Sequence, residues 1–269
     1  MIGFAETFGA TLASFIVPAF VGLGVLSLLA RYLSAKYLAA FAIGLYLWFF
    51  SDTIAGASYL SVDSGFSGGF FHIMYWVLFA AGVLGIFALD RGLFSSGEGE
   101  GGLAFMIPLL AAVGIGIHGA AEGAVIAGTA VTAPNGNLLA AFGGFVPGVA
   151  FVLHKALEPM IVGATYWIFA KSRATSGRAV LRDISILTVV FSLPGIIGSS
   201  VAYYLVQLYP AADFSYIYAL GLGTSIYALA RLGRPLYSGR GLQVSDSLKV
   251  GAMIIIGFTA LYLAALLHS

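Results

Sequence analysis

The sequence predicts an all-α polytopic membrane protein with eight transmembrane helices and both termini outside. Three observations support this fold class: an apolar composition, eight long apolar runs, and basic residues confined to alternate connections. Of the 269 residues, 60% are hydrophobic and 9% are charged, whereas soluble domains carry roughly 25% charged residues. We therefore expect a single transmembrane domain over residues 1–269, crossing the cell membrane several times.

Eight apolar runs are separated by polar or Gly/Ser-rich breaks, and most reach the roughly 20 residues that a transmembrane helix requires. The seventh and eighth runs are the shortest. No Lys or Arg precedes the first run, so it lacks the basic segment of a cleavable signal peptide. The longest hydrophilic connection, residues 90–102, is rich in glycine and serine, which predicts a short flexible cytoplasmic linker. The runs cover residues 8–30, 37–60, 69–89, 103–131, 138–170, 184–208, 214–230 and 250–267.

The basic residues predict the orientation through the positive-inside rule. With the N-terminus outside, the inner connections carry eleven of the twelve Lys and Arg residues and the outer connections carry none. A protein with seven or nine spans would scatter them over both faces. The twelfth basic residue, Lys155, lies inside the fifth run. We therefore expect extracellular or periplasmic termini. The eleven inner residues are Arg31, Lys36, Arg91, Lys171, Arg173, Arg178, Arg182, Arg231, Arg234, Arg240 and Lys249.

Two of the apolar runs each carry a histidine that is followed four residues later by a glutamate. These are His118 with Glu122 in the fourth run and His154 with Glu158 in the fifth. An ionisable side chain in the middle of an apolar span costs about 2.5 to 3.5 kcal/mol on insertion scales, so two such pairs indicate a function. Residues i and i+4 share one face of a helix, and two facing helices would close a pocket of four ligands. The sequence therefore predicts a metal site.

The composition of this pocket suits a divalent transition metal. The chain contains no cysteine, so the ligands are nitrogen and oxygen atoms. Two neutral imidazoles and two carboxylates neutralise a divalent ion; this set suits Zn²⁺ well and Fe²⁺, Mn²⁺, Co²⁺ or Cd²⁺ less well. Each histidine lies near the middle of its run, at the depth where transporters place their substrate. We therefore expect transport of a divalent metal ion and no enzymatic activity.

The fourth run resembles the ZIP (Zrt/Irt-like) family of zinc and iron transporters, whose fourth helix carries a motif close to H-N-x-P-(D/E)-G. Here His118, Glu122 and Gly123 fit the motif, whereas Gly119 stands in the usual place of asparagine and Ala121 in that of proline. The eight helices and outer termini of that family also agree with the topology predicted from the charges. The resemblance implies a 3+2+3 inverted-repeat bundle in which helices four and five are central.

The fifth run is similar to the fifth ZIP helix, whose motif is close to H-E-x-P-(H/E)-(E/G). His154 and Glu158 fit, whereas Lys155 replaces the acidic residue and Leu157 the proline. In family members with two metals, the second ion is held by the asparagine, this acidic residue and a glutamate of the sixth helix. Because Gly119 and Lys155 stand at two of these positions, the resemblance implies one metal. The ammonium of Lys155 would take the place of the second ion as a fixed point charge.

Two residues and three further functions stay open at this level. Asp52 is either a transient ligand on the ion path or the partner of Lys155, and Lys155 is either a metal substitute or a gate. An intramembrane zinc-dependent hydrolase would use similar ligands but needs an open coordination position and an acid/base group. A transport-inactive ZIP-like metal-binding protein would carry the same residues, and the buried lysine would also suit a retinal-type photoreceptor. The expected partners are a divalent metal ion and the lipid bilayer, without nucleic acid; a homodimer is one assembly open to the chain.

Overall fold

A computed structural model of the protein describes residues 2–57, 70–95, 100–133, 137–171, 176–209, 213–237 and 244–266. These residues form nine α-helices and a short 3₁₀-helix, Leu138–Phe142, and no β-strand occurs among them. The α-helices are α1 (Phe4–Leu29), α2 (Ala35–Gly56), α3 (Phe70–Ser95), α4 (Glu100–Thr132), α5 (Phe145–Leu157), α6 (Pro159–Phe169), α7 (Gly177–Leu208), α8 (Ser215–Tyr237) and α9 (Val244–Leu266).

The nine helices form eight rods, because a single residue separates α5 from α6. Within the described ranges, 7 segments are long and apolar enough to cross a membrane, and α5 with α6 counts as one of them, Phe145–Phe169. The expected helical multi-pass membrane protein is confirmed at this level. The full set of eight spans, the outer termini and the 3+2+3 repeat stay predictions.

The remaining rod, α8, is less apolar than the others. Some of its polar side chains face neighbouring helices. It packs against α2, α3 and α4. The Thr224 hydroxyl donates a hydrogen bond to the Gly114 carbonyl of α4 (2.6 Å), and the hydroxyls of Ser225 and Tyr46 lie 2.9 Å apart. Polar groups inside a bundle find such partners, whereas lipid offers none. The short seventh run therefore belongs to a helix that packs closely among its neighbours.

Helix α4 is central to the bundle and packs against α1, α3, α6, α7 and α8. Glycines allow α7 to approach it closely. A Cβ at Gly123 would lie 2.0 Å from the Gly195 carbonyl oxygen, and a Cβ at Gly116 would lie 2.6 Å from the Phe191 carbonyl oxygen. A side chain at either position would push the helices apart. The face of α4 that carries the histidine and glutamate is therefore held in the interior.

The linker expected over residues 90–102 overlaps the ends of α3 and α4. Only residues 96–99, which lie outside the described ranges, separate the two helices, so the linker expected over residues 90–102 is helical at both ends. The end of α3 is stabilised by α8, because Asp90 accepts hydrogen bonds from Arg231 (2.6 Å) and Tyr227 (2.7 Å). These partners are remote in sequence, and local glycine and serine content therefore did not reveal the extension of the helix.

Candidate metal centre

A break between α5 and α6 positions Glu158. Helix α5 ends at Leu157 and α6 begins at Pro159, whose nitrogen carries no hydrogen and cannot continue the helical hydrogen bonds. Glu158 connects the two helices: its N–H donates to the His154 carbonyl (3.1 Å) and its carbonyl accepts from the Ile161 N–H (3.0 Å). The chain therefore keeps its direction, and a carboxylate is placed at the joint.

Three of the four predicted ligands lie close enough together to hold one ion. Within the described residues, one donor atom from each of His118, Glu122 and Glu158 lies within 4.8 Å of the other two. The His118 Nε2 atom is 3.5 Å from Glu122 Oε2 and 3.1 Å from Glu158 Oε1. Bonds of about 2.0–2.2 Å place the donor atoms of one zinc ion at most about 4.4 Å apart. The spacing of the donor atoms is therefore close to what one zinc ion requires.

The orientation of the His118 ring turns its Nε2 atom toward the carboxylates of the group. The Nδ1 atom faces the Ile115 carbonyl one turn earlier in α4, and the ring of Phe49 meets the imidazole edge-on with centroids 4.5 Å apart. A carbonyl only accepts hydrogen bonds, so Nδ1 carries the hydrogen and a neutral imidazole has its lone pair on Nε2. This is the atom that faces Glu158.

His154, the fourth predicted ligand, lies on the far side of Glu158. Its Nε2 atom is 2.7 Å from Glu158 Oε1, which is also the oxygen next to His118. An ionised carboxylate accepts hydrogen bonds, so the His154 imidazole donates and holds the carboxylate in place. The group of three converging donor atoms does not include His154. Its role as a direct ligand stays a prediction.

Lys155 lies among the site's own carboxylates rather than beside them. Its Nζ atom forms ion pairs with Glu122 and, at 2.5 Å, with Glu158, and it is 3.3 Å from His118 Nε2. The side chain is completely buried, with 0% of its surface exposed. The ammonium therefore contacts both glutamates of the group. With neutral imidazoles, two carboxylates and one ammonium leave the group with one negative charge in excess.

Asp52 lies near the site but is not the partner of Lys155. It is on α2, close enough to His154, Glu122 and Glu158 to interact with them electrostatically. Among the described residues, the ion pairs of Lys155 are formed with the two glutamates and not with Asp52. A role of Asp52 on the ion path stays a prediction.

Aromatic side chains from four helices surround the cluster, and no sequence pattern indicated them. The rings of Phe15 in α1 and Phe151 in α5 have their centroids 5.5 and 5.9 Å from Lys155 Nζ. Phe49 of α2 packs on the His118 imidazole, and Tyr218 of α8 interacts electrostatically with both glutamates. Because 14% of the chain is aromatic, these residues do not stand out until the fold brings them together.

Comparison with known proteins leaves the family open. No protein-family model and no curated protein matches the sequence. The resemblance to the ZIP family stays a prediction that depends on residues of the fourth and fifth rods. Those residues form a buried group of one imidazole nitrogen and two carboxylates, a donor set that suits a divalent transition metal.

Proposed function

We propose that this protein carries a divalent metal ion across the membrane through a single site. In this proposal His118, Glu122 and Glu158 are the ligands, and His154 positions Glu158. Zn²⁺ is the best fit to one imidazole and two carboxylates, followed by Fe²⁺, Mn²⁺ and Cd²⁺. The observation that carries the proposal is the convergence of these donor atoms, within 4.8 Å of one another, inside a bundle of apolar helices.

The depth of the site supports transport over a peripheral binding role. His118 is 18 residues from the first residue of α4 (118 − 100) and 14 from the last (132 − 118). At about 1.5 Å of rise per residue, these separations are about 27 and 21 Å. The group therefore lies near the middle of a helix that is long enough to cross a bilayer. Alternating access to both sides of a membrane requires a site at this depth.

The chemistry of the buried group supports a cation-binding function over a structural one. Glu158 and Lys155 are almost fully buried and Glu122 is largely so. A buried ion pair is weak evidence for stability, because apolar residues of similar volume often stabilise a fold equally well. Ionisable residues within a membrane span are rare and usually functional. We infer that the carboxylates serve the cargo ion.

An uptake measurement tests the proposal. The purified protein would be reconstituted into vesicles that enclose a zinc-sensitive fluorophore, and Zn²⁺ would be added outside. We expect a saturable signal from the wild-type protein and its near-complete loss in Glu158→Gln, which removes a ligand charge with little change in volume. Uptake by Glu158→Gln at the wild-type rate would contradict the proposed route.

Glu6→Gln is the matched control for this measurement. It makes the same chemical change at an exposed position in the first turn of α1, where the carboxylate accepts only a long hydrogen bond (3.4 Å) from the Gly3 N–H. We expect Zn²⁺ uptake by this variant to equal that of the wild-type protein. A comparable loss in both variants would show that the effect is unrelated to the site.

A second candidate function is metal binding without transport. The position of Lys155 favours it, because an ammonium that is paired with both glutamates opposes entry of a second cation. Such a protein would bind Zn²⁺ saturably and show no uptake with Zn²⁺, Fe²⁺, Mn²⁺ or Cd²⁺. Binding measured by calorimetry, together with the uptake measurement on the same preparation, separates the two functions.

A further inference from the structure

The Lys155 ammonium is placed where the metal ion would have to bind. Its Nζ atom contacts Glu122 and Glu158 and is 3.3 Å from His118 Nε2. These are the same three residues whose donor atoms form the candidate metal group. Each of the three ligands would have to exchange its contact with the ammonium for a bond to the ion. The ammonium and the ion are therefore alternative occupants of one position.

The surroundings of Lys155 leave the two glutamates as its charge partners. The side chain has 0% of its surface exposed, so its ammonium has no bulk water around it. The rings of Phe15 and Phe151, with centroids 5.5 and 5.9 Å from Nζ, lie at distances typical of cation–π contacts. The aromatic rings and the carboxylates together enclose the ammonium at the end of the Lys155 side chain, in surroundings that suit a cation.

A charge count distinguishes the states that these surroundings permit. With neutral imidazoles, the two glutamates contribute two negative charges. With Lys155 alone, the group has a net charge of minus one. With a divalent ion alone, it is neutral. With both, it has a net charge of plus one, and two cations lie side by side. With neither cation, two buried carboxylates repel each other without a partner, and buried unpaired charges are strongly unfavourable. The favourable states are therefore those with one cation at a time.

We propose that Lys155 is a tethered counter-cation that exchanges with the metal ion at Glu122 and Glu158 in every transport cycle. This inference rests on the proposed transport function. The arriving ion displaces the ammonium from the carboxylates, and the ammonium returns when the ion leaves. The unloaded protein then changes conformation with its carboxylates still paired. A substitute for a second metal would behave differently, because it would remain in place next to the bound ion.

Zinc binding to two variants tests this exchange. Lys155→Met has a similar length and no charge, and Lys155→Arg is the control that keeps the charge. By calorimetry on the purified, metal-free proteins, we expect Lys155→Met to bind Zn²⁺ about tenfold or more tightly than the wild-type protein, within the usual range of coupling between competing ligands. Lys155→Arg should show no such gain. Equal or weaker binding by Lys155→Met would overturn the exchange.

Thermal unfolding of the same variants gives a readout that does not depend on transport. Without metal, Lys155→Met should unfold at a lower temperature than the wild-type protein, because its two carboxylates have lost their partner. Zn²⁺ should then raise its unfolding temperature more than that of the wild-type protein, since tighter binding stabilises the folded state more. A smaller increase in Lys155→Met would count against the exchange.

A soluble amine tests the exchange if Lys155→Met proves unstable. In Lys155→Ala, propylammonium has the size and charge of the missing part of the side chain. We expect it to weaken Zn²⁺ binding to Lys155→Ala in proportion to its concentration and to leave binding to the wild-type protein unchanged. Zn²⁺ binding to Lys155→Ala that does not respond to propylammonium would overturn the shared position.

Flux measurements separate failure of the exchange from failure of the transport function. In vesicles, Lys155→Met should still exchange external for internal Zn²⁺, while its net uptake should decrease, because only net uptake requires the unloaded protein to return. If the wild-type protein and Lys155→Met had equal Zn²⁺ affinity and equal net uptake, the transport function would be supported and the exchange would be contradicted. If the folded wild-type and variant proteins neither bound nor transported Zn²⁺, both the transport function and the exchange would be contradicted.

Discussion

Gly221 of α8 lies directly against the backbone of His118, where a Cβ at residue 221 would come within 2.6 Å of the His118 Cα. The contact leaves no room for a side chain at residue 221. A Cβ there would meet backbone atoms of His118, which cannot move away as the end of a flexible side chain can. The position of the imidazole in the metal centre therefore depends on a glycine of another helix. This dependence is easy to test, because other helical glycines in the chain lack such a neighbour.

We expect Gly221→Ala to destabilise the protein by about 1–3 kcal/mol, the usual cost of forcing an extra carbon into a packed core. Zn²⁺ binding should weaken as well, since α4 and α8 must separate next to the ligand. Gly24→Ala in α1 is the control, because its added Cβ would meet no described heavy atom within 4 Å apart from the nearby backbone of its own helix. It should be neutral or stabilising by up to about 1 kcal/mol. Thermal unfolding and calorimetry measure both effects, and equal behaviour of the two variants would contradict the packing.

The two histidines should differ in their contribution to zinc binding. His118→Ala removes a ligand from the converging group, whereas His154→Ala removes the hydrogen bond that holds Glu158 (2.7 Å). Loss of such a supporting contact costs about 10–100-fold in metal affinity, and loss of the ligand should cost more. Calorimetric titration with Zn²⁺ compares them. A loss in His154→Ala as large as that in His118→Ala would make His154 a direct ligand.

The C-terminal end of α3 should depend on Asp90. Its carboxylate accepts two hydrogen bonds of 2.6 Å from Arg231 of α8, and both side chains are largely buried. We expect Asp90→Asn to lower stability by about 1.5–3 kcal/mol, the range for hydrogen bonds to charged groups. Asp246→Asn is the control: its pair with Lys36 (2.6 Å) is more exposed, so the effect should be smaller. Thermal unfolding of both variants in one detergent provides the comparison, and a larger loss in Asp246→Asn would reverse it.

The orientation predicted from the basic residues can be tested with single cysteines, because the chain has none of its own. Probes at Ser64 and Asn135, two positions outside the described ranges, should react with an impermeant thiol reagent in intact cells. Probes at Ser95 and Ser176 should react only after permeabilisation. Ser176 caps α7 by accepting a hydrogen bond from an N–H (3.2 Å), so its replacement costs about 1 kcal/mol and leaves the fold intact. Labelling of Ser176→Cys in intact cells would reverse the topology.

The apolar runs predicted the helical rods well because the thickness of the bilayer sets both the length of an apolar run and the length of a helix that crosses the membrane. The pairing of His118 with Glu122 could also be predicted, because residues four apart on one helix are neighbours. Helix α8 was harder to predict. Its interior hydroxyls, such as that of Ser225, find partners only in other helices, and hydropathy does not record such partners.

The arrangement of the fifth rod shows where sequence reasoning stopped. A four-residue spacing placed His154 and Glu158 on one face of the helix. It did not show which of the two is a metal ligand and which is a residue that positions the ligand. Lys155 is next to His154 in sequence, and only the packing of α4 against the rod formed by α5 and α6 brings its ammonium to Glu122. Pro159 was the available signal for the break, because a proline lacks the hydrogen-bond donor that a continuous helix needs there.

That break places the candidate metal ligands partly on one continuous helix and partly at the residue between two helices. His118 and Glu122 belong to one helix of 33 residues, and their spacing is fixed by its backbone. Glu158 instead occupies the single residue between α5 and α6, so any change in the angle between those two helices pivots at a ligand. A rotation there would alter the gap between Glu158 and His118 while leaving the α4 pair undisturbed. The distance between Glu158 and the pair on α4 is thereby coupled to the angle between α5 and α6.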